Sequence, residues 1–350
     1  MPLTLDRVGG DVRLRVGTSD VEVPPLNRPT LDYARAVEAL PALDTQGDGI
    51  KSFLGLVLTV VAGTSQILLV DEPEAFLHPA QARALGRWLS VEAVKRDIQI
   101  FLASHDRDLL LGLLDGGQEA VVNIVRLTRT GDANNLHNLQ PEEVAAVWND
   151  PVLRYSNILQ GLFHRRVVIC ESDADCRFYG AVLDNMSIED DKQSMADSVL
   201  LVPSGGKQRI AGMAAALTRL GVDTHAIVDF DVLSKRNDVK GIVAGMGATW
   251  SPTMNAAYVA MADVANQGQL WSQLKNQGLN GLPAGAAYTA CEQLLAELAG
   301  VGVHIVPGGE LEDFNKSIAL DGAAWVSQML EANGHKTNEA ARNFVRPLLL

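Results

Sequence analysis

The stretch VVICESDADCRFY, residues 167–179, decides the fold. Val167 to Cys170 is too short for a helix and rich in β-branched residues, so it reads as a buried strand of a parallel sheet. Glu171 stands at its carboxyl end. Open α/β sheets keep their ligand sites there, because the strand fixes the residue while the following turn exposes it. Glu171, Asp173 and Asp175 repel one another unless they are solvated or neutralised by a cation. Alone, the stretch fits a solvated acidic turn as well as one corner of a cation site.

The residues after it repeat the pattern. Ser198 to Val202 reads as a second strand, closed by PSGGK (203–207), which is either an anion-binding turn or an ordinary strand-to-helix turn. HAIVDFD (225–231) reads as a third strand, and residues two apart on a strand share a face, so Asp229 and Asp231 aim at one point. With parallel neighbours that point lies beside Glu171. Residues 232 to 300, rich in Gly, Ala, Asn and Gln, read as a helical insertion. GVHIV (302–306) is a fourth strand with His304 as a core residue, followed by PGGELEDF, in which Glu310 and Glu312 alternate beside Asp313. Acids gathered at adjacent strand ends suit hard divalent cations: oxygen ligands without His or Cys fit Mg²⁺ or Mn²⁺.

Upstream, TQGDGIKSF (45–53) puts glycines at the start of a long apolar helix, where unpaired N–H groups favour a phosphate. It is not a P-loop, since Ile50 separates Gly49 from Lys51 and no strand leads in. ILLV (67–70) ends in Asp71 and Glu72, a helix opens near Pro79, and a second strand (98–103) ends in Ser104-His105-Asp106. Strand, helix and strand in this order predict a parallel unit with a right-handed crossover. Both polar ends then fall on one edge. Four aliphatic residues followed by Asp-Glu have the form of a Walker B motif: Asp71 would hold Mg²⁺ through water and Glu72 would orient the water attacking a γ-phosphate.

Composition narrows the function classes. Hydrophobic residues make up 47% of the chain and charged residues 20%, which excludes a wholly disordered chain. The net charge of −13 is shared evenly, with 14 Lys and Arg against 21 Asp and Glu in residues 1–160 and 15 against 21 after them. Neither half is a basic nucleic-acid arm, so DNA contact needs a local patch or bridging metal ions. Cys170, Cys176 and Cys291 lack metal-ligand spacing, and their odd number predicts reduced thiols. The longest apolar run, Phe53 to Gly63, is too short to cross a bilayer and has no signal-peptide flanks, so the expectation is a cytoplasmic protein without membrane contact.

TQGDGIKSF, ILLVDEPEAFLHP and FLASHD resemble the signature loop, Walker B with D-loop, and switch histidine of ABC-type ATPases, especially those of the OLD (overcoming lysogenization defect) family of ATPase-nucleases. The resemblance implies that Gly47, Asp48 and Gly49 touch the nucleotide of a partner subunit, Asp71 positions Mg²⁺, Glu72 is the hydrolytic carboxylate and His105 senses the γ-phosphate. The chain carries no Walker A loop. The expectation is therefore an N-terminally shortened product or half of a split ATPase that does not hydrolyse ATP alone; ATP and Mg²⁺ would bind only with a Walker A supplied from elsewhere.

The second half resembles a Toprim domain. ESDAD stands where that domain has Glu-Gly-x-x-Asp, with Ser172 for the usual glycine; DFD is its Asp-x-Asp, and GGELEDF is similar to the late acidic motif of OLD proteins. The resemblance implies two divalent ions, Mg²⁺ or Mn²⁺, one held by Glu171, Asp175 and Asp229 and the other by Asp231 with Glu310 or Glu312. Lys336 is the first choice for stabilising transition-state charge, with Lys207 and Lys316 as competitors. Asp173 is expected to be solvated or to stand behind the ligands without touching a metal.

The expected architecture is α/β: a partial ABC-type ATPase domain over residues 1–160, then a Toprim domain with a Rossmann-like parallel sheet over 161–350, with a helical insertion at about 234–300. The expected function is a metal-dependent DNA endonuclease or nickase using a two-metal site. Expected partners are DNA, further copies of the chain joined through the ATPase part, and a helicase or a chain bearing Walker A. The alternatives are a nucleotide-responsive regulatory or scaffolding DNA-binding module without cleavage, and an ATPase half that needs a Walker A partner.

Overall fold

Two short strands, β1 (Leu3–Asp6) and β2 (Arg13–Val16), pair antiparallel at the start of the computed structural model. The structure describes residues 2–7, 12–25, 28, 30–117, 121–149, 157–189 and 197–349. These form two units, Met1–Val122 and Asn123–Leu350.

In the first unit α1 (Leu31–Glu38) and α2 (Asp48–Ala62) precede β3 (Ile67–Asp71), α3 (Pro79–Arg96), β4 (Gln99–Ala103) and α4 (Arg107–Leu114). The sequence sets these boundaries. Pro79 occupies the first turn of α3, where its missing N–H costs nothing. His78 Nδ1 accepts from the Ala80 N–H while the Gln81 side chain accepts from the His78 N–H. At the far end Asp97 turns left-handed, with φ of 54°. Strands β3 and β4 are parallel, with Asp71 opposite Ala103, as the strand-helix-strand reading predicts. Leu68, Ile100 and Leu102 pack on a core of Val60, Ala82, Leu85, Leu89 and Leu109. The other sheet face is uncovered: Ile67 is 57% exposed, Leu69 80% and Phe101 58%.

The second unit opens with a hairpin. Gly131 to Asn138 reads as loop in the sequence, but β5 (Ile124–Thr130) and β6 (Ala133–Leu139) pair antiparallel around the Gly131-Asp132 turn. Most β6 residues are exposed, so no apolar alternation marks the strand in the sequence. Arg126 fastens this hairpin to the chain leading into the sheet, donating to the carbonyls of Leu162 at 3.0 Å and His164 at 2.8 Å and to that of Gly221. The sequence places the domain junction near residue 160; the hairpin is part of the second unit. α5 (Pro141–Asn149) follows; LRYSNILQGLF (153–163) reads as a helix in the sequence, of which residues 153–156 lie outside the described residues and Asn157–Phe163 form a 3₁₀ helix.

The central sheet consists of β7 (Arg166–Cys170), β8 (Val199–Pro203), β9 (Asp223–Val228) and β10 (Val303–Ile305), in the order β10-β9-β7-β8 and all parallel. Helix α6 (Asp173–Glu189) follows β7, α7 (Ile210–Arg219) follows β8, and the expected insertion is α8 (Arg236–Gly245), α9 (Pro252–Gln267), α10 (Trp271–Gln277) and α11 (Ala286–Gly300). After β10 come α12 (Gly322–Glu331), the single turn α13 (Gly334–Thr337) and α14 (Glu339–Val345). Val168, Cys170 and Ile227 bury one sheet face against Phe178, Tyr179, Trp325 and Val345. The Phe178 and Trp325 rings meet edge to face at 5.1 Å. Each such fully buried aromatic stabilises the unit by about 2–3 kcal/mol, so this core anchors the strand whose end carries Glu171.

Candidate active site

Because β9 lies beside β7, the acids that end them meet. Glu171 follows the last residue of β7, and its Oε1 accepts from the Asp229 backbone N–H at 3.1 Å. Asp229 and Asp231 lie just past β9. Val228 is the last strand residue; Asp229 is extended and caps a 3₁₀ turn, Phe230–Ser234, that contains Asp231. Strand alternation is thus not what aims the two carboxylates, as the sequence reading supposed. The turn does so, fastened by the Phe230 N–H donating to the Gly309 carbonyl at 2.7 Å, which ties it to the loop after β10.

That loop carries the late acids. Gly278, at the end of α10, sits so close that a Cβ there would run into the Pro307 carbonyl oxygen, and the Leu279 N–H donates to the same oxygen at 2.9 Å. Lys275 approaches Glu310 at 3.6 Å, and Lys316 bridges Asp313 at 2.7 Å and the Asn276 carbonyl at 2.9 Å. The insertion, which carries no chemical signature in its sequence, buttresses the acidic loop. Glu312 Oε1 accepts from the Gly322 N–H at the start of α12, at 2.6 Å.

The electrostatics show which acids share a field. Burial raises the carboxyl of Asp229 to about 9, with like-charge repulsion from Glu171, Asp175, Asp231 and Glu310 adding to it. Burial also raises Glu171; the Asp229 N–H opposes this, and Asp231 and Asp175 reinforce it. Asp175 is raised by burial and by Glu312, against hydrogen bonds from the Ser172 N–H and hydroxyl, both 2.8 Å. Ser172, standing where the Toprim pattern has glycine, therefore holds Asp175. Burial likewise raises Glu310, Lys275 opposing it. Glu310 belongs electrostatically with Asp229, and Glu312 with Asp175. Asp173 is turned to an exposed ion pair with Arg177, away from this group.

Of the three candidate lysines, Lys207 reaches the acids: its Nζ lies 2.5 Å from Asp231 Oδ2. Lys316 serves Asp313, and Lys336 is exposed on α13 with no ion pair among the described residues. Two groups near the site escape the sequence reading. The Tyr179 hydroxyl is buried beneath the acids with no hydrogen-bond partner among the described residues, and Asp175 and Asp229 act on it. Lys275 lies in a segment without a motif.

The donor set suits a hard divalent cation: every member is a carboxylate, Asp231 Oδ1 is buried without a hydrogen-bond partner, and burying this many acids together calls for a counter-charge. Among the described residues no three or more His, Cys, Asp or Glu side chains are placed so as to hold a metal ion. His304 is a core residue, stacked on His225 with Nε2 2.9 Å from its Nδ1, and burial lowers it to about 3.

In the first unit, Gly47 caps α2 and Asp48 pairs with Lys51 at 2.8 Å. Asp71 ends β3, and Glu72 follows with a left-handed φ of 43°, a strained conformation for a residue with a side chain. Its N–H donates to the Ala103 carbonyl at 2.9 Å, which turns the carboxylate to His105 Nδ1 at 3.3 Å. Glu72 and His105 are thereby brought together. Buried Glu74, outside the candidate set, accepts from the Ser104 hydroxyl at 2.6 Å.

Residues 36–112 match the family described as "AAA domain, putative AbiEii toxin, Type IV TA system", and residues 162–231 match that described as "Overcoming lysogenization defect protein-like, TOPRIM domain". The chain is also 27% identical over 88 residues to uncharacterized protein MJECL11 of Methanocaldococcus jannaschii, covering 25% of this chain and 77% of that protein. The first match contains Asp71, Glu72 and His105; the second contains Glu171, Asp175, Lys207, Asp229 and Asp231.

Proposed function

From a chain with the architecture of an OLD-family ATPase-nuclease, an ATPase-type domain followed by an OLD-like Toprim domain, we propose a metal-dependent DNA endonuclease or nickase, with the ATPase-type module serving assembly or control. The observation that carries this reading is the meeting of Glu171 and Asp229 at adjacent parallel strand ends, with Asp231 and Glu310 acting on the same buried carboxyl. Glu171, Asp175 and Asp229 would hold one divalent ion, and Asp231 with Glu310 the other. When bound, such ions activate an attacking water and stabilise the leaving oxygen of a phosphodiester.

The chain's own residues do the rest. The Asp229 N–H fixes the Glu171 carboxylate, Ser172 fixes Asp175, and the Phe230–Gly309 bond holds the Asp231 turn against the Glu310 loop. Metal ions at these acids would also bridge DNA phosphates to a chain with a net charge of −13. Mg²⁺ or Mn²⁺ is the expected ion, DNA the substrate, and oligomerisation through the first unit the expected assembly. Supercoiled DNA incubated with Mg²⁺, Mn²⁺, Ca²⁺ or EDTA tests the reading: nicking with a divalent ion and none in EDTA is expected, and no nicking with any ion contradicts it.

A further inference from the structure

We infer that Lys207 is a built-in counter-cation of the acid site, holding Asp231 until a divalent ion displaces it. This rests on the metal-site reading above and extends it to a residue outside the ligand set.

The turn between β8 and α7 presents Lys207. Gly205 and Gly206 both have positive φ, 71° and 126°, which lets the chain double back within two residues. The turn is sewn to the backbone of the acid strand: the Ser204 N–H donates to the Cys170 carbonyl at 2.8 Å, the Gly206 N–H to the Glu171 carbonyl at 3.1 Å, and the Ser204 hydroxyl also faces the Glu171 carbonyl. The strand end that carries Glu171 therefore also positions Lys207. From there the side chain spans to the β9 turn and places Nζ 2.5 Å from Asp231 Oδ2, with both side chains about three-quarters shielded, 25% and 27% exposed.

Two features mark this pair as more than a surface ion pair. Asp231 Oδ1 is buried with no hydrogen-bond partner among the described residues, so half the carboxylate is satisfied by Lys207 and half is left open. The neighbouring acids repel one another, and Lys207 supplies a charge that opposes their repulsion. A divalent ion ligated by Asp231 must compete with the ammonium for Oδ2. Lys207 then stands released at the site's rim, its charge facing whatever phosphate occupies the ions. Lys207 is thus a positioning residue that lowers metal affinity in exchange for a stable metal-free site.

Mn²⁺ binding to the full 350-residue chain without DNA, measured by calorimetry or by loss of the free-Mn²⁺ spin-resonance signal, separates the possibilities. Lys207→Met and Lys207→Gln are expected to bind Mn²⁺ about tenfold more tightly than the wild type, equivalent to about 1.4 kcal/mol. Lys207→Arg, which keeps the competing charge, is expected to bind within about threefold of wild type, a spread of less than 1 kcal/mol. Unchanged or weaker binding in both neutral variants overturns the inference and leaves the nuclease reading standing. No Mn²⁺ binding by the wild type overturns both. The Met and Gln variants check each other against a folding defect, since they differ in polarity at a partly exposed position.

Discussion

The Asp229 backbone N–H points at the Glu171 carboxylate from 3.1 Å, so the acid that ends one strand is held by the peptide that ends the next. Asp229's own carboxyl is left among Glu171, Asp175, Asp231 and Glu310. This is an arrangement stable in either of two ways, by protonation or by cation binding.

A pH dependence follows. Burial first, then the surrounding acids, raise Asp229 from 3.8 to about 9 in the folded chain. The folded state therefore keeps a proton that the unfolded state has lost, and stability falls as pH rises between those values. The contribution is fully present below about pH 4 and gone above about pH 9. Without divalent ions, Asp229→Asn is expected to be more stable than wild type at pH 8 by about 2 kcal/mol, the partial exposure of the site discounting the full linkage value. The gap should nearly close at pH 4. Urea unfolding in EDTA at the two pH values measures it; equal gaps would refute the assignment.

Metal addition should reverse that penalty. At pH 8, Mn²⁺ at about a hundred times its dissociation constant is expected to stabilise the wild type by about 2.7 kcal/mol. Asp229→Asn should lose most of this gain, and thermal melts with and without EDTA read it directly.

The insertion is expected to matter more through Gly278 than through its charges. Gly278 has φ of 52° and no room for a Cβ against Pro307. Gly278→Val should cost about 2–4 kcal/mol and weaken Mn²⁺ binding, by shifting the loop that bears Glu310. Lys275→Ala removes an ion pair at 3.6 Å whose lysine is 51% exposed, and should cost no more than about 0.5 kcal/mol. Chemical denaturation of both variants distinguishes packing from charge.

The four parallel strands of the second half, the parallel pair of the first and the positions of Glu171, Asp229, Glu72 and His105 were legible because short aliphatic runs ending abruptly in polar residues have few alternatives as strands. The hairpin Ile124–Leu139 was not, since β6 is mostly exposed and the half-buried positions of β5, Ile124, Arg126 and Thr128, are not an apolar series. Asp231 was placed on a strand because alternation cannot show where pairing stops and a 3₁₀ turn begins. Lys207 could be weighed but not chosen over Lys336. Its reach depends on the Gly205-Gly206 backbone and on the strand order β9-β7-β8, which only the folded chain supplies. Lys275 and Gly278 carry no motif, and their role arises from tertiary contact alone.

In the first unit Glu72 and His105 approach to 3.3 Å, but the chain has no Gly-x-x-x-x-Gly-Lys-Ser/Thr phosphate loop. The purified 350-residue chain is expected to show no ATP turnover above background. Adding a chain that carries a Walker A loop should restore turnover, and Glu72→Gln should abolish the restored rate by about 100-fold or more, as expected when a water-orienting carboxylate is lost. Robust turnover by the chain alone would contradict this.

The central claim is that these strand-end acids cut DNA with divalent ions. Its most direct measurement is the initial rate of supercoiled-plasmid nicking in Mn²⁺, wild type beside Asp229→Ala at matched folded concentration. A loss of at least about 100-fold in the variant is expected; equal rates would contradict the claim.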